Sequence, residues 1–515
     1  MCGIAGIRDE LGADARAAVE AMTATLAHRG PDDSGVWVDA AAGVALGHRR
    51  LAILDLSSAG HQPMSSHCSR YVITFNGEIY NHADVRKELE AADPAMLWRG
   101  HSDTETVLTA VARWGMVPAL KRMTGMFAFA LWDRETRVLH LVRDRLGEKP
   151  LYYGWLGRTL VFASELKALR AHPQWRGEID RAALALLLRH NYIPAPHSIY
   201  QGIRKLMPGT ILSVRADGSC EELYYWSARE TAERGVAAPF AGSKAEAVEA
   251  LERLLSRSVG RQMVADVPLG AFLSGGVDSS TIVALMQAQS PHLVKTFTIG
   301  FNEEAYNEAE HAKAIAKHLG TDHTELYVTP QEAMDVIPRL PELFDEPFAD
   351  PSQIPTFLVS RLARQHVKVI LSGDGGDELF GGYNRYFWGR SLWKKIGWMP
   401  NGWRSLMAGG LRALPPQSWD LIFQRLAAVL PEKLRQRSPG DKLHKLAEIL
   451  AVDSPEAMYL GLVSHWKDPA AVVLGVTEPA TVLTDHSRWA NLEDFTQRMM
   501  FMDMVSYLPD DILVK

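Results

Sequence analysis

The chain has 515 residues, 47% hydrophobic and 23% charged, which is the composition of an ordinary globular protein with a large core. Its 55 basic and 61 acidic residues give a net charge of −6, so it lacks the basic surface that nucleic-acid-binding proteins use. Three cysteines are too few for a disulfide framework. The apolar runs are too short to span a membrane, and the N-terminus has no signal-peptide features. These features predict a cytoplasmic protein that binds no membrane.

Residues 2–213 contain short β-like runs separated by turns, and helical periodicity interrupts these runs at 15–26, 83–89 and 104–114. Successive strands with few helices between them predict an α+β domain built on stacked antiparallel sheets. The predicted strands are 43–46, 71–75, 126–132, 138–142, 160–163 and 211–214.

The polar segment 214–242 has no strong period and is predicted to be a linker. Strands then alternate with helices, which predicts a second domain over 243–515, of the α/β class, with a parallel sheet and additional helices. The tryptophan-rich stretch 388–403 is interpreted as core or as a helix-packing surface. The predicted strands are 267–273, 296–301 and 368–371, and the predicted helices are 245–257, 279–287, 308–319 and 356–365.

Cys2 directly follows the initiator methionine, so removal of Met1 would leave a residue with both a thiol and a free α-amine. The thiolate is the nucleophilic form, and an α-amine of pKa about 8 can serve as the adjacent general base. Gly3, Ala5 and Gly6 are small and permit close packing around such a terminus. The pattern therefore allows Cys2 to act as an N-terminal nucleophile, although most cysteines after an initiator methionine are incidental.

The opening CGIAG resembles the start of class-II glutamine amidotransferases, whose glutaminase domains are of the N-terminal-nucleophile type. Eight further segments match that family in order and cover nearly the whole first domain. These segments are HRGPDDSG (28–35), GHRRLAILDLS (47–57), GHQPM (60–64), FNGEIYNH (75–82), SDTETVL (102–108), GMFAFALWD (125–133), RDRLGEKPLYY (143–153) and FASELKAL (162–169).

This resemblance implies a glutamine site. Arg50 would bind the α-carboxylate of glutamine with two parallel hydrogen bonds, which a lysine could not do. Asp103 would supply the anion for the α-ammonium, and Glu78 would accept a hydrogen bond from the same amine. Asn76 and the backbone N–H of Gly77 would form the oxyanion hole of the tetrahedral intermediate.

A second motif, SGGVDSS (274–280), lies where an apolar strand meets a helix. Its glycines let the backbone approach a phosphate, and the helix N-terminus favours an anion. The motif resembles the pyrophosphate loop of the ATP pyrophosphatases, which split ATP between its α and β phosphates. A third motif, SGDGGDELFGGY (372–383), follows another apolar strand and matches the synthetase domain of asparagine-synthetase-like enzymes.

The second resemblance implies ATP as a co-substrate and Mg²⁺ held by Asp278 and Asp377. Asp374 would be a catalytic carboxylate of the synthetase reaction. The alternative for Asp374 and Asp377 is an acidic turn that caps a helix. The residues implied in ATP binding, by side chain or backbone, are Phe272, Ser274, Gly275, Gly276, Asp278, Ser279, Ile299, Ser372 and Gly373.

Together, the motifs resemble those of the glutamine-hydrolysing asparagine synthetase family. The resemblance implies that glutamine, aspartate and ATP are the substrates and that glutamate, asparagine, AMP and pyrophosphate are the products. The reaction would proceed through β-aspartyl-AMP, with ammonia passing inside the protein between two sites. Members of the family are often homodimers, so a homodimer is expected by analogy.

Two departures from the family leave alternatives open. The position of Asp374 is typically Glu in strict asparagine synthetases, so the acceptor could be another carboxylate, on a cell-envelope sugar or a natural-product precursor. The chain ends at Lys515, before a lysine that the family carries further on, so the second domain is expected to be truncated. A glutaminase or nucleotide-binding subunit without synthetase activity is the remaining alternative.

Overall fold

The computed structural model describes residues 1–9, 14–301, 307–426 and 439–515. Two six-stranded antiparallel sheets stack on each other in the first domain, as the strand pattern predicts. Their strands are β1 (Gly3–Arg8), β2 (Asp33–Asp39), β3 (Val44–Arg50), β4 (Met64–Ser65), β5 (Tyr71–Ile79), β6 (Gly125–Asp133), β7 (Val138–Arg143), β8 (Tyr152–Leu156), β9 (Thr159–Ala163), β10 (Ile203–Lys205), β11 (Thr210–Val214) and β12 (Cys220–Tyr224).

The first sheet has the order β10-β8-β9-β1-β3-β2 and the second β12-β11-β7-β6-β5-β4. Alternate residues of the strands face each other across the domain, so that Ile4 and Phe162 of one sheet pack against Ala128 and Leu139 of the other. Helices cover both outer faces, which buries the remaining apolar side chains. The helices are α1 (Ala15–Ala24), α2 (His82–Ala92), α3 (Asp103–Trp114), α4 (Met116–Arg122), α5 (Leu166–Arg170) and α6 (Arg181–His190).

The segment predicted as a linker contains regular structure. Strand β12 pairs with β11 from Thr210↔Tyr224 to Val214↔Cys220, and helix α7 (Ala228–Ala237) follows with Ser227 as its N-cap. Every residue of β12 is exposed, since it is an edge strand without a buried face. Its sequence therefore lacks the alternation of apolar and polar residues that identifies a strand, and the second sheet continues past the predicted boundary at 213.

The second domain contains a parallel four-stranded sheet of order β15-β14-β13-β16, which confirms the predicted α/β architecture. Its strands are β13 (Leu269–Phe272), β14 (Lys295–Phe301), β15 (Asp322–Val328) and β16 (Val369–Leu371). Its helices are α8 (Lys244–Gln262), α9 (Val277–Gln289), α10 (Ala309–Leu319), α11 (Pro330–Met334), α12 (Leu340–Leu343), α13 (Gln353–Ala363), α14 (Gly376–Phe380), α15 (Asn384–Ile396), α16 (Asn401–Arg412), α17 (Pro416–Leu426), α18 (Pro439–Leu450), α19 (Pro455–Leu462), α20 (Phe495–Val505) and α21 (Tyr507–Asp510).

Buried ion pairs join the two domains. The Lys205 ammonium of the first domain lies 2.6 Å from the Glu346 carboxylate and 3.4 Å from that of Asp510, both in the second domain. All three side chains are buried, and the lysine offsets one of the two negative charges while it forms an ion pair with both carboxylates, which would be costly to bury alone. None of the described helices is long and apolar enough to cross a membrane.

Candidate active sites

Cys2 directly precedes β1, which lies between β9 and β3 in the first sheet. Its Sγ accepts a hydrogen bond from the N–H of Leu51 (3.4 Å), and its carbonyl oxygen accepts one from Nε of Arg29 (2.8 Å). Burial raises the pKa of the Cys2 thiol above its ordinary value. The thiol is thus held in place but needs a nearby base to become a thiolate.

A small cavity, about 60 Å³ in volume, lies beside this thiol. Met1 is part of its wall, so removal of Met1 would both enlarge the cavity and make Cys2 the terminal residue. The six residues predicted for the glutamine site come from separate segments of the chain, and the fold brings all of them to this cavity. They are Cys2, Arg50, Asn76, Gly77, Glu78 and Asp103.

Arg50 is a buried cation without an acidic partner among the described residues. Its guanidinium donates instead to backbone carbonyl oxygens, to that of Ser57 at 3.0 Å and to those of Leu54 and Asp55. A Cβ atom on Gly60 would lie only 1.9 Å from Nη2 of Arg50, so only glycine leaves room for this position. A fixed guanidinium without a counter-charge is suited to binding the carboxylate of a ligand.

Asn76 and Glu78 lie two residues apart on β5 and therefore face the same side of the sheet, toward the cavity. Both are buried, and neither amide atom of Asn76 nor Oε1 of Glu78 has a hydrogen-bond partner in the described part of the chain. Burying a polar group without a partner is costly, so these atoms are suited to a ligand. Gly77 permits the close approach of β6, since a Cβ there would lie 2.2 Å from the Met126 carbonyl oxygen.

The two acidic side chains of the cavity affect each other. Burial, reinforced by the neighbouring Asp103 charge, raises the pKa of Glu78 to about 7. Asp103 is the first residue of α3; its Oδ2 accepts a hydrogen bond from the N–H of Ile79 (2.9 Å), and burial raises its pKa as well. Burial disfavours the ionised forms of both carboxyl groups, and a bound ammonium group would stabilise these ionised forms.

Sequence reasoning missed two cations next to Cys2. Besides its bond to the Cys2 carbonyl, Arg29 pairs with Glu165 at 2.6 Å, and Nζ of Lys149 lies 3.2 Å from Sδ of Met1. Burial, with the positive charges of Arg29 and Lys149, lowers the pKa of the Met1 amine to about 5. Both cations lie in segments that match the glutamine amidotransferases, 28–35 and 143–153, so this match could have identified them.

The second predicted site lies at the carboxyl ends of β13 and β16, which are adjacent and parallel and so end at the same edge of the sheet. Ser279, in the first turn of α9, shapes the loop there. Its Oγ accepts a hydrogen bond from the N–H of Ser274 (3.2 Å) and lies 3.0 Å from the Ser274 hydroxyl. Gly275 has φ +81°, a left-handed conformation that favours glycine, and Gly276 is the N-cap of α9.

The two glycine-rich loops contact each other. A Cβ on Gly373 would lie 2.8 Å from the Ser279 nitrogen, and one on Gly376 would lie 2.6 Å from Oδ2 of Asp278. Burial and the nearby Asp278 charge raise the pKa of Asp377. No cluster of three or more metal-ligating side chains occurs within the described ranges. Mg²⁺ often uses one or two carboxylates together with substrate phosphates, so the Asp278–Asp377 pair fits this ion.

The other residues predicted for this site lie next to the two loops, and their side chains point in different directions. Ser372 donates a hydrogen bond to Oδ2 of Asp374 (2.7 Å), and Asp374 is exposed. The side chains of Phe272 and Ile299 pack into two apolar clusters, around Phe297 and around Val328. That Phe272 and Ile299 contact the base of ATP through their backbone stays a prediction.

Comparison with known proteins decides the family. A family model described as a glutamine amidotransferase domain matches residues 1–226, and one described as asparagine synthase matches residues 250–515, more than half of the chain. The chain belongs to the asparagine synthase family.

Two relatives of this asparagine synthase family member align along its whole length. The glutamine-hydrolysing asparagine synthetase assigned in Mycobacterium tuberculosis is 36% identical over 534 residues, covering 100% of this chain and 78% of that protein. Asparagine synthetase (glutamine-hydrolysing) 1 of Bacillus subtilis is 34% identical over 527 residues, covering 100% and 77%. The solved glutamine phosphoribosylpyrophosphate amidotransferase of B. subtilis is 16% identical with a TM-score of 0.34, covering 63% of this chain and 65% of that one.

The family confirms that the chain is an enzyme, a carbon–nitrogen ligase of the glutamine-dependent amidotransferase type with ATP as a co-substrate. A larger cavity of about 360 Å³ lies between the two domains. Met1 and Glu148 line it on the side of the glutamine site, and Thr356, Ser360 and Lys515 line it on the side of the second domain.

Proposed function

We propose that this enzyme transfers the amide nitrogen of glutamine to the β-carboxylate of aspartate and forms asparagine. ATP activates the carboxylate and is converted to AMP and pyrophosphate, while glutamine becomes glutamate. The observation that carries the donor half is the cavity that joins Cys2 to Arg50 and to the unpartnered polar atoms of Asn76. The names of the relatives support aspartate as the acceptor.

In the first site, removal of Met1 makes the α-amine of Cys2 the general base. Burial and the positive charges of Arg29 and Lys149 disfavour the protonated form of the Met1 amine. The α-amine of Cys2, beside the same cations, would then be neutral and able to accept the thiol proton. The thiolate then attacks the carboxamide carbon of glutamine, and the oxyanion is bound by Asn76 and the Gly77 N–H. Ammonia leaves with the proton from the amine, and water hydrolyses the γ-glutamyl thioester.

Arg50, Asp103 and Glu78 orient the bound glutamine for this attack. Arg50 binds the α-carboxylate of glutamine, and Asp103 and Glu78 bind its α-ammonium. Because the α-carboxylate and the α-ammonium are both bound, the carboxamide is positioned at the Cys2 thiol. The attack then becomes effectively unimolecular, which lowers its entropic cost.

In the second site, an oxygen of the aspartate β-carboxylate attacks the α-phosphorus of ATP, and the bond to the β-phosphate breaks. The backbone of residues 274–276 and the N-terminus of α9 bind the departing pyrophosphate. Asp278 and Asp377 would hold Mg²⁺, which neutralises phosphate charge when bound. Ammonia, arriving through the cavity between the domains, attacks the acyl carbon of β-aspartyl-AMP, and AMP leaves.

The test is to supply glutamine, Mg·ATP and aspartate and to measure pyrophosphate, AMP, glutamate and asparagine, with Cys2→Ala as the control. We expect all four products, with the glutamine-dependent products lost in Cys2→Ala. Glutamate without pyrophosphate would contradict aspartate as the acceptor and leave only the glutaminase half of the proposal. A panel of other carboxylates, tested with the wild type and Asp374→Glu, then examines the alternative acceptors.

A further inference from the structure

One segment of the second domain has an unusual composition. Residues 379–419 contain no acidic residue, although the chain has 61 of them among 515, and they contain six basic residues and five of the 14 tryptophans. The interpretation of 388–403 as core or helix-packing surface is wrong for three of its four tryptophans. Only Trp393 is partly buried, whereas Trp388, Trp398 and Trp403 are exposed.

The exposed side chains lie on α15, on the turn after it and on α16. Phe387 and Lys394, like Trp388 and Lys395, are seven residues apart, and all four lie outside the face of α15 that buries Tyr386, Gly389 and Ile396. Aromatic side chains of this set expose 64% to 78% of their surface. We call the set the tryptophan–lysine surface; it comprises Phe387, Trp388, Lys394, Lys395, Trp398 and Trp403.

The described part of the chain does not use this surface for its own packing. Helix α16 packs on α18 through Ala408, and the buried Arg404 lies over the ring of Trp393 at 5.1 Å. Arg385, at the start of α15, points inward and pairs with Asp503 at 2.6 Å. The inward faces of α15 and α16 are therefore satisfied, while their outward faces carry large apolar side chains in contact with water, which usually marks an interaction site.

The charges of the surface are unbalanced. Lys394 and Lys395 are exposed and form no ion pair with any residue in the described part of the chain, and the next acidic residue along the chain is Asp420. Of the outward-facing cations of α15, Arg390 has a carboxylate nearby, Asp494 at 3.9 Å. A partner for this surface must therefore accept aromatic rings and supply negative charge.

We propose that the tryptophan–lysine surface docks the enzyme reversibly on an anionic lipid bilayer. Tryptophan and phenylalanine favour the boundary between headgroups and acyl chains, and lysines beside them are attracted to anionic headgroups. Protein–protein interfaces are depleted in lysine at their centres, so Lys394 and Lys395 between the aromatic residues favour lipid over a protein partner. The expectation of no membrane partner rested on the absence of spanning segments, which does not bear on peripheral docking.

The test is sedimentation of the full chain with vesicles of phosphatidylcholine alone or mixed with phosphatidylglycerol, at low and high salt. We expect binding only to the mixed vesicles, weakened by salt. Two double variants, Trp398→Ser with Trp403→Ser and Lys394→Glu with Lys395→Glu, should each reduce the partition coefficient about tenfold or more. Trp466→Ser and Lys317→Glu change exposed residues elsewhere and serve as matched controls.

Glutaminase activity and melting temperature should be unchanged in both double variants, which separates lost docking from misfolding. The proposal is overturned if the protein ignores anionic vesicles, if it binds neutral vesicles equally well, or if both double variants bind like the wild type. It is also overturned if light scattering shows that the variants dissociate a homodimer while lipid binding is unaffected, since the surface would then join two copies of the chain.

Discussion

The substitution Gly60→Ala tests the glutamine site through a residue that itself carries no functional group. A methyl group at this position would lie 1.9 Å from Nη2 and 2.5 Å from Cζ of Arg50. The guanidinium must then move by more than an ångström, away from the carbonyl oxygens that hold it. Arg50 would keep its charge but lose the position from which it forms two parallel hydrogen bonds to a carboxylate.

A hydrogen bond to a charged group contributes about 1.5–3 kcal/mol. Loss of one such bond and weakening of the other should reduce the binding free energy by about 3 kcal/mol. Since about 1.4 kcal/mol corresponds to a factor of ten, kcat/KM for glutamine should fall about 150-fold. The assay is glutamate formation at several glutamine concentrations. The melting temperature is measured alongside it to exclude misfolding.

The matched control is Gly461→Ala in helix α19, where an added Cβ would meet no atom within 4 Å. This variant should hydrolyse glutamine like the wild type. Should Gly60→Ala keep kcat/KM within twofold of wild type while folding normally, Arg50 would not be the group that binds the α-carboxylate, and the proposed pose of glutamine would be wrong.

Four further outcomes are expected. Asn76→Ala removes a buried donor of the oxyanion hole and should lower kcat for glutaminase about 10²–10³-fold, with a smaller change in KM. Because the Glu78 carboxylate forms as pH rises through about 7, KM for glutamine should fall between pH 6 and 8, and the trend should flatten in Glu78→Gln. Gly376→Ala would displace the Asp278 carboxylate and should abolish pyrophosphate release but spare glutaminase; loss of both would contradict separate sites. Lys205→Met leaves two buried carboxylates unpaired and should lower the free energy of unfolding by about 3 kcal/mol in denaturant titration.

The sequence by itself determined the parts of this protein that depend on local geometry. Alternation along β5 places Asn76 and Glu78 on one face whatever the rest of the chain does, and an apolar strand followed by glycines and a helix N-terminus makes a phosphate loop from adjacent residues. Strands with a clear apolar run, such as β6 and β14, were predicted, whereas β12, whose residues are all exposed, was not. The glycine-containing β1 and the strands β2, β8, β10 and β15 were missed as well.

Tertiary structure decided everything that depends on which distant segments meet. The cations beside the nucleophile, Arg29 and Lys149, act there only because the fold places them against residues 27 and 148 positions away. The raised pKa of Glu78 comes from burial, which no single residue type encodes. The exposure of Trp388 on α15 likewise follows from tertiary structure, since no element in the described part of the chain buries that face, and an apolar face of a helix has the same sequence pattern whether it meets a core or water.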